Sequence, residues 1–377
     1  MDKASNIADP LLEWLSAGVR EVLNEETFKR MIAVERKRTE RSSEPFLLML
    51  LDAGNHHGSE KNGKILDDML PVLLLLIRET DVIGWYKDRA VVGVMFTGLA
   101  NNDKSAILGV ILNKVSTTLR AQLPSDHLSQ VSISFHFFPD DWNNDNSGRQ
   151  SNPSLYPDLL SRDKGKSYLL RTKQVMDVLG SALILILCSP LFLVIALAIK
   201  LSSKGPVLYR QQRVGQYGQN FTFLKFRSMR TNNDNSVHRE YVTQLIAGKA
   251  EHTLTDAKSE GVYKLTKDTR VTPVGKILRK TSLDELPQLM NVLKGDMSLV
   301  GPRPPIPYEL AAYQTWHRRR VLEVKPGITG LWQVSGRNRI KFDEMVRLDL
   351  QYAKSWSPWL DLKILMRTPR AVLRGAC

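Results

Sequence analysis

The 377 residues predict an α/β N-terminal domain followed by a mainly helical domain held at one face of a membrane, with a re-entrant helix hairpin and a small β-hairpin. Three observations lead there. Helical and strand-like apolar patterns alternate through the first 140 residues or so, which is the order of an α/β layer fold. Residues 178–199 form a stretch of 22 without a charge, long enough for a bilayer segment. Charge is also unevenly shared: residues 166–377 hold 34 Lys and Arg against 16 Asp and Glu, and the remainder 19 against 23, within a net charge of +14. A positive field suits anionic headgroups, phosphorylated substrates or nucleic acid, and the uncharged stretch weighs against the last.

Taken in order, residues 11–37 show helical spacing, Phe46 to Leu51 a buried strand, and Ile65 to Ile77 a helix. A turn over Trp85–Ala90 precedes a strand from Val91 to Phe96, a helix from Ile107 to Leu119 and an alternating strand from Val131 to Phe137. The amino end, MDKASNIADP, lacks the apolar core of a signal peptide. Cys188 and Cys377 offer no disulfide framework or zinc spacing, so a reducing compartment is expected. His56, His57 and His136 are scattered, and read as ordinary surface or core residues. The domain boundaries expected are 1–139 for the α/β domain, 140–166 for a polar linker, 167–204 for the membrane helix and 205–377 for the basic domain.

Within the uncharged stretch, Ser189-Pro190 interrupts the helix hydrogen-bond ladder. Each half would reach only about 16 Å, roughly half a hydrocarbon core. Cations stand at both ends, Arg171 and Lys173 before and Lys200 and Lys204 after, so both ends read as cytoplasmic. A re-entrant hairpin follows, with a kinked full-span helix as the alternative. Next, Pro206–Arg210 and Phe221–Phe226 flank a loop at hairpin spacing, and alternation puts Lys225 and Arg227 on one face. A polar stretch, Met229 to Tyr263, contains a helix around His238–Ile246.

Asp284 and Glu285 follow, with Arg279 close before them. Ser282-x-x-Glu285 fits a capping box, placing both acids in a first helical turn where the dipole favours their ionised forms. With Asp284 as the cap instead, Pro287 falls within the first turn, where its missing N–H costs little. Gly301-Pro302-Arg303-Pro304-Pro305 is a stiff loop presenting one guanidinium. His317-Arg318-Arg319-Arg320 reads as a face toward anions, Trp332, Trp356 and Trp359 as interfacial anchors, and Leu348–Leu373 as amphipathic helices broken at Pro358 and Pro369.

Two resemblances rest on these segments. RETDVIGWYKDRAVVGVMF, from Arg78, resembles the hairpin region of GGDEF domains, but Lys87-Asp88-Arg89-Ala90-Val91 stands where the signature would be. The resemblance implies a degenerate, regulatory or assembly domain. The Ser-Pro membrane segment, KFRSM from Lys225, RKTSLDELPQLMNVLKGDMSLVGPRP from Arg279 and PGITGLWQVSGR from Pro326 together resemble bacterial sugar transferases, specifically monotopic phosphoglycosyl transferases. The family implies transfer of a sugar 1-phosphate from a UDP-sugar to undecaprenyl phosphate, with UMP released, at the cytoplasmic face of the bacterial inner membrane, to initiate exopolysaccharide, capsule, O-antigen or glycoconjugate synthesis. On this sequence it implies Asp284 as nucleophile, Glu285 as Mg²⁺ ligand, and Lys225, Arg227, Arg279 and Arg303 as phosphate-binding residues. It further implies Ser189 and Pro190 as the membrane-helix break, with Pro302 and Pro304 on the uridine side of the donor. The partners implied are the UDP-sugar donor, undecaprenyl phosphate and membrane lipid, without nucleic acid; a homo-oligomer is left open. A membrane-tethered nucleotide sensor or assembly scaffold is the alternative.

Overall fold

The computed structural model describes residues 21–53, 59–99, 103–122, 131–139, 153–158, 167–230, 236–247 and 270–374. The chain divides into two units, residues 1–140 with 152–160, and residues 161–377 with 141–151. The expected helical pattern before residue 21, His56 and His57 lie outside the described residues.

In the first unit, α1 (Glu25–Ser42), β1 (Phe46–Asp52), α2 (Ser59–Leu76), β2 (Val82–Lys87), β3 (Val91–Phe96), α3 (Lys104–Gln122) and β4 (Ser132–Phe138) follow in order. The strands form an antiparallel sheet, β2-β3-β1-β4. Asn24 starts α1 by accepting the Thr27 N–H at 2.9 Å, a side-chain cap for an otherwise orphaned donor. Strand β1 is central and covered on both faces. Leu47, Met49 and Leu51 join α2 and α3 in one core, while the Phe28 ring of α1 lies over Leu50 and the paired Gly84 and Gly93. Double coverage is why FLLMLLD reads as a continuous apolar run rather than an alternating one. On β4, His136 pairs with the Ser134 hydroxyl at 3.0 Å and burial lowers its pKa.

The linker expected over 140–166 is corrected in part. Leu155 and Tyr156 are buried, and Arg36 grips Asp158 with two bonds of 2.9 and 2.8 Å while donating to the Leu155 carbonyl at 3.0 Å. Polar composition hid this because the partner is 119 to 122 positions away.

The second unit opens with α4 (Ser167–Ser202), 36 residues that include Pro190. Straight, it would measure about 54 Å. Ser189-Pro190 lies inside one continuous helical element and does not end it; the Ser189 hydroxyl donates to the Ile186 carbonyl at 2.8 Å. Near its start, Lys173 binds Asp361 at 2.7 Å and the Val300 carbonyl at 3.1 Å, and Asp177 accepts from Leu299 N–H and the Ser298 hydroxyl at 2.9 and 3.0 Å. Lys173 is therefore an internal ion-pair partner rather than a free interfacial charge. Toward its end, Ile195 and Ile199 pack on Phe226 and Leu278. Leu179, Leu183, Ile186, Val194, Leu197 and Leu201 stay exposed, an apolar stripe at spacings of three, four and eight.

Strands β5 (Leu208–Val214) and β6 (Asn220–Phe226) form the expected hairpin, and α5 (Ser236–Ile246) the expected helix. After α6 (Pro273–Thr281) come a 3₁₀ turn at Leu283–Glu285, α7 (Gln288–Lys294), β7 (Ser298–Val300), α8 (Pro307–Ala311), α9 (Arg319–Glu323), β8 (Gly327–Thr329), α10 (Leu331–Ser335), α11 (Phe342–Ser355) and α12 (Pro358–Arg374). Parallel pairing of β7 with β8 fixes the loop after Val300. Pro358 starts α12 and Pro369 sits inside it without ending it. Trp332 and Trp356 are buried, correcting their expected interfacial role, whereas Trp359 is 70 % exposed and shares a face of α12 with Leu362, Met366 and Leu373. His317 and Arg320 are also buried, so the expected anion-facing run turns inward. Arg320 pairs with Asp349 at 2.7 Å, and Arg319 with Glu323 at 2.7 Å.

Helix α6 approaches the strand end closely. Thr272 caps it, accepting the Gly275 N–H at 2.9 Å, and a Cβ on Gly275 would lie 2.0 Å from the Ser228 carbonyl oxygen. Gly275→Ala should therefore lower stability by about 1–3 kcal/mol, seen as a lower thermal midpoint. A midpoint equal to the parent's would refute this packing.

Candidate active site

The two acids lie on the 3₁₀ turn between α6 and α7, so neither expected capping frame holds. Ser282 adopts φ 54°, the left-handed conformation, and its N–H closes α6 onto Arg279 and Leu278 carbonyls. Its hydroxyl caps nothing and instead accepts from Arg337 Nη2 at 3.1 Å. Pro287 becomes the N-cap residue of α7, where lacking an N–H costs nothing.

Asp284 is 8 % exposed. Burial and then the Glu285 charge push its carboxyl up to about 6, with Lys225 and Arg279 pulling the other way. Desolvation therefore outweighs the dipole that was expected to favour ionisation. The same burial, followed by the Arg213 charge, pushes the Lys225 ammonium down to about 8. Lys225 Nζ stands 5.0 Å over the Tyr209 ring, its cross-strand neighbour. Arg279 is aimed by a 3.0 Å bond from Nε to the Ser228 hydroxyl. Arg303 Nη1 stands 4.0 Å from Glu285 Oε1, the guanidinium half exposed, a loose pair that leaves both groups open to a substrate. The structure thus gathers Asp284, Glu285, Lys225, Arg279 and Arg303.

It does not bring Arg227 to this cluster through any described contact. Strand β6 ends at Phe226, so the alternation that put Arg227 beside Lys225 stops. Its Nη2 donates to the Ser203 carbonyl at 2.7 Å and the Ser203 hydroxyl at 3.0 Å, which satisfies the end of α4.

The loop carrying Arg303 is pinned at four successive carbonyls. Pro302 O accepts from Gly327 N at 2.8 Å, Arg303 O from Arg320 Nη2 at 3.2 Å, Pro304 O from Arg213 Nη1 at 2.7 Å, and Pro305 O from Val214 N at 2.9 Å. Arg213 is itself buried, bonded to Gln211 and 4.9 Å over the Phe223 ring. Burial and the Arg303 charge lower its pKa to about 10. Sequence reading missed Arg213, although hairpin alternation sets it on the face of Lys225. It also missed Arg337, whose φ of 51° is a costly conformation for a residue with a side chain.

Among the described residues, no three His, Cys, Asp or Glu side chains gather as a metal cage. Mg²⁺ is commonly held by one or two carboxylates together with substrate phosphates, and Glu285, 29 % exposed, fits that donor set. A buried carboxylate among cations is equipped for nucleophilic attack on phosphorus.

A family described as bacterial sugar transferase matches residues 168–375. The chain is 44 % identical over 207 residues to galactosyl transferase CpsE of Streptococcus agalactiae, covering 55 % of this chain and 43 % of that protein. It is 46 % identical over 202 residues to undecaprenyl-phosphate galactose phosphotransferase of Salmonella typhimurium, covering 54 % and 40 %. With exopolysaccharide production protein ExoY of Rhizobium meliloti it shares 43 % over 202 residues, covering 53 % and 84 %. The chain thus spans under half the length of the first two relatives. A solved structure, a DGC protein from Thermotoga maritima, is matched at 15 % identity over 32 % of this chain and 86 % of that one, with a TM-score of 0.25, too low to carry a fold assignment.

Proposed function

Because the chain belongs to the bacterial sugar transferase family, we propose that it transfers a sugar 1-phosphate from a UDP-sugar to undecaprenyl phosphate, releasing UMP and initiating polysaccharide or glycoconjugate synthesis. The observation that carries this reading is Asp284, buried yet flanked by Lys225 and Arg279. A carboxylate oxygen attacks the donor β-phosphorus, the bridging P–O bond breaks, and UMP leaves with the electron pair. The acceptor phosphate then attacks the same phosphorus, the P–O bond to the aspartyl oxygen breaks, and that bond's electron pair returns to the Asp284 carboxylate. Lys225, Arg279 and Arg303 hold the phosphates and offset the charge that would repel an anionic nucleophile. Mg²⁺ on Glu285 would supply further charge neutralisation.

The same proposal sets α4 in one leaflet, entering and leaving at the cytoplasmic face of the inner membrane. Support comes from both ends. Lys173 and Asp177 bind β7, and Ile199 and Ser203 bind Arg227, so neither end departs from the unit that carries the acids. For the N-terminal unit we propose a regulatory or assembly role as a degenerate GGDEF-like domain. Its β2–β3 hairpin, over Lys87–Val91, has neither glycines nor an acidic pair.

Purified protein supplied with Mg²⁺, undecaprenyl phosphate and a panel of UDP-sugars should release UMP with at least one sugar. No release with any would sink the reading. The pH profile should be a bell. The nucleophile must be ionised, so activity falls as pH drops through about 6, the value of Asp284. Lys225 must be charged, so activity falls again as pH rises through about 8. Lys225→Arg should move only the alkaline limb, upward; an unmoved limb would remove Lys225 from the assignment.

A further inference from the structure

Beside the catalytic turn is an apolar cavity of about 260 Å³. Its wall runs from Ile184 in the membrane helix, past Leu286 and Leu299, to Leu365 and Val372 on α12, and Glu285 and Arg337 stand in its lining. We infer that this cavity seats the first isoprene units of the acceptor lipid and that Arg337 binds the acceptor phosphate. The inference rests on the transferase reading above and adds to it a place and a residue for the second substrate.

Three features support it. The volume is below the roughly 300–1,000 Å³ of clefts that enclose a whole small ligand, so it suits one end of a long chain whose remainder lies in lipid. Ile184 is itself exposed and is followed on α4 by exposed Ile186 and Leu187, so the cavity wall continues into the surface that lipid covers. Arg337 is set for a phosphate. Its Nη2 donates to Ser282, two residues before Asp284, and its Nη1 to the Ala371 carbonyl at 3.3 Å. A guanidinium has five donors, and these two bonds aim it while leaving others for an anion. Ser282 and Arg337 both hold positive φ, 54° and 51°, so two strained residues meet through one hydrogen bond beside the nucleophile. An acceptor phosphate at Arg337 with its chain in the cavity would reach the phosphosugar-aspartyl group from the lipid side, while the cations Lys225 and Arg303 keep the nucleotide side.

The two half-reactions separate the tests. Exchange of labelled UMP into UDP-sugar, measured without acceptor, reads the first; transfer to undecaprenyl phosphate reads the second. Val372→Trp, which fills the cavity, and Arg337→Lys, which keeps the charge and loses the fork, should retain exchange within about twofold while raising the KM for undecaprenyl phosphate tenfold or more. Retained exchange also reports that each variant is folded. An unchanged acceptor KM in both variants would overturn the assignment, as would an exchange rate that falls in step with transfer. Absence of exchange in the parent protein would instead overturn the transferase reading.

Discussion

Asp284→Asn should abolish turnover and stabilise the fold at the same time. If Asp284 is the proposed nucleophile, its loss should cost a factor of about 10⁴ or more in UMP release, the scale seen when an enzyme loses a group that forms its covalent intermediate. The stability gain follows from proton linkage. The folded carboxyl titrates near 6 against an ordinary 3.8. Between those values the unfolded chain has lost a proton that the folded chain keeps, so stability falls as pH rises through this window. Above about pH 6 the protein carries the full penalty, on the order of 3 kcal/mol. Asparagine has no charge to desolvate. The variant should melt above the parent at pH 8 and equal to it below about pH 4. A variant that melts lower at pH 8 would mean that Lys225 and Arg279 outweigh burial at this carboxyl.

Asp349→Ala should be the most destabilising single change in the second unit. Asp349 and Arg320 are 1 % and 3 % exposed and 2.7 Å apart. Removing one partner of such a pair strands the other charge, at a cost of about 3–5 kcal/mol. Arg320 also holds the Arg303 carbonyl and the Tyr313 hydroxyl, so the damage reaches the Gly301–Pro305 loop. Denaturant unfolding checks the first effect and the KM for the UDP-sugar the second. The double variant Asp349→Leu with Arg320→Met should recover most of the stability and little of the KM, because it removes the stranded charge without restoring the bond to Arg303. Full recovery of both would mean that the pair only fills space.

The acids and three of the four cations named from sequence come together because their signals are local. Asp284 and Glu285 adjoin in a run of motif residues, Arg303 stands between prolines, and Lys225 follows a strand pattern. Strands β1, β3 and β4 of the first unit were legible as local apolar runs, but β2 was not: Trp85–Lys87, expected within a turn, belong to the strand Val82–Lys87. Misreadings have a common cause in partners far along the chain. Arg227 reads as a phosphate ligand, and His317 and Arg320 as part of a face toward anions, until Ser203, Asp343 and Asp349 are seen beside them. Residues 153–158 look like linker until Arg36 is seen beside Asp158. Arg337 closes the motif PGITGLWQVSGR, but nothing in that run tells what it binds, because what marks it is a backbone angle. The capping box was wrong for a subtler reason. Ser282 is a residue type that suits a helix start, but here it closes the previous helix in a left-handed conformation that leaves its hydroxyl for Arg337.

The four carbonyl anchors of the Gly301–Pro305 loop bear on the order in which the protein becomes functional. Their donors are Arg213, Val214, Arg320 and Gly327, and two of these lie about 91 positions away in the chain. Contacts of such long range form late, after loop closure has been achieved by nearer ones. A folding intermediate with its helices and hairpin in place would still lack a fixed Arg303. During refolding, helical circular dichroism should return before activity does. On the proposed function, a partly assembled chain would lack the means to release UMP, and nucleotide sugars would be spent only by finished molecules.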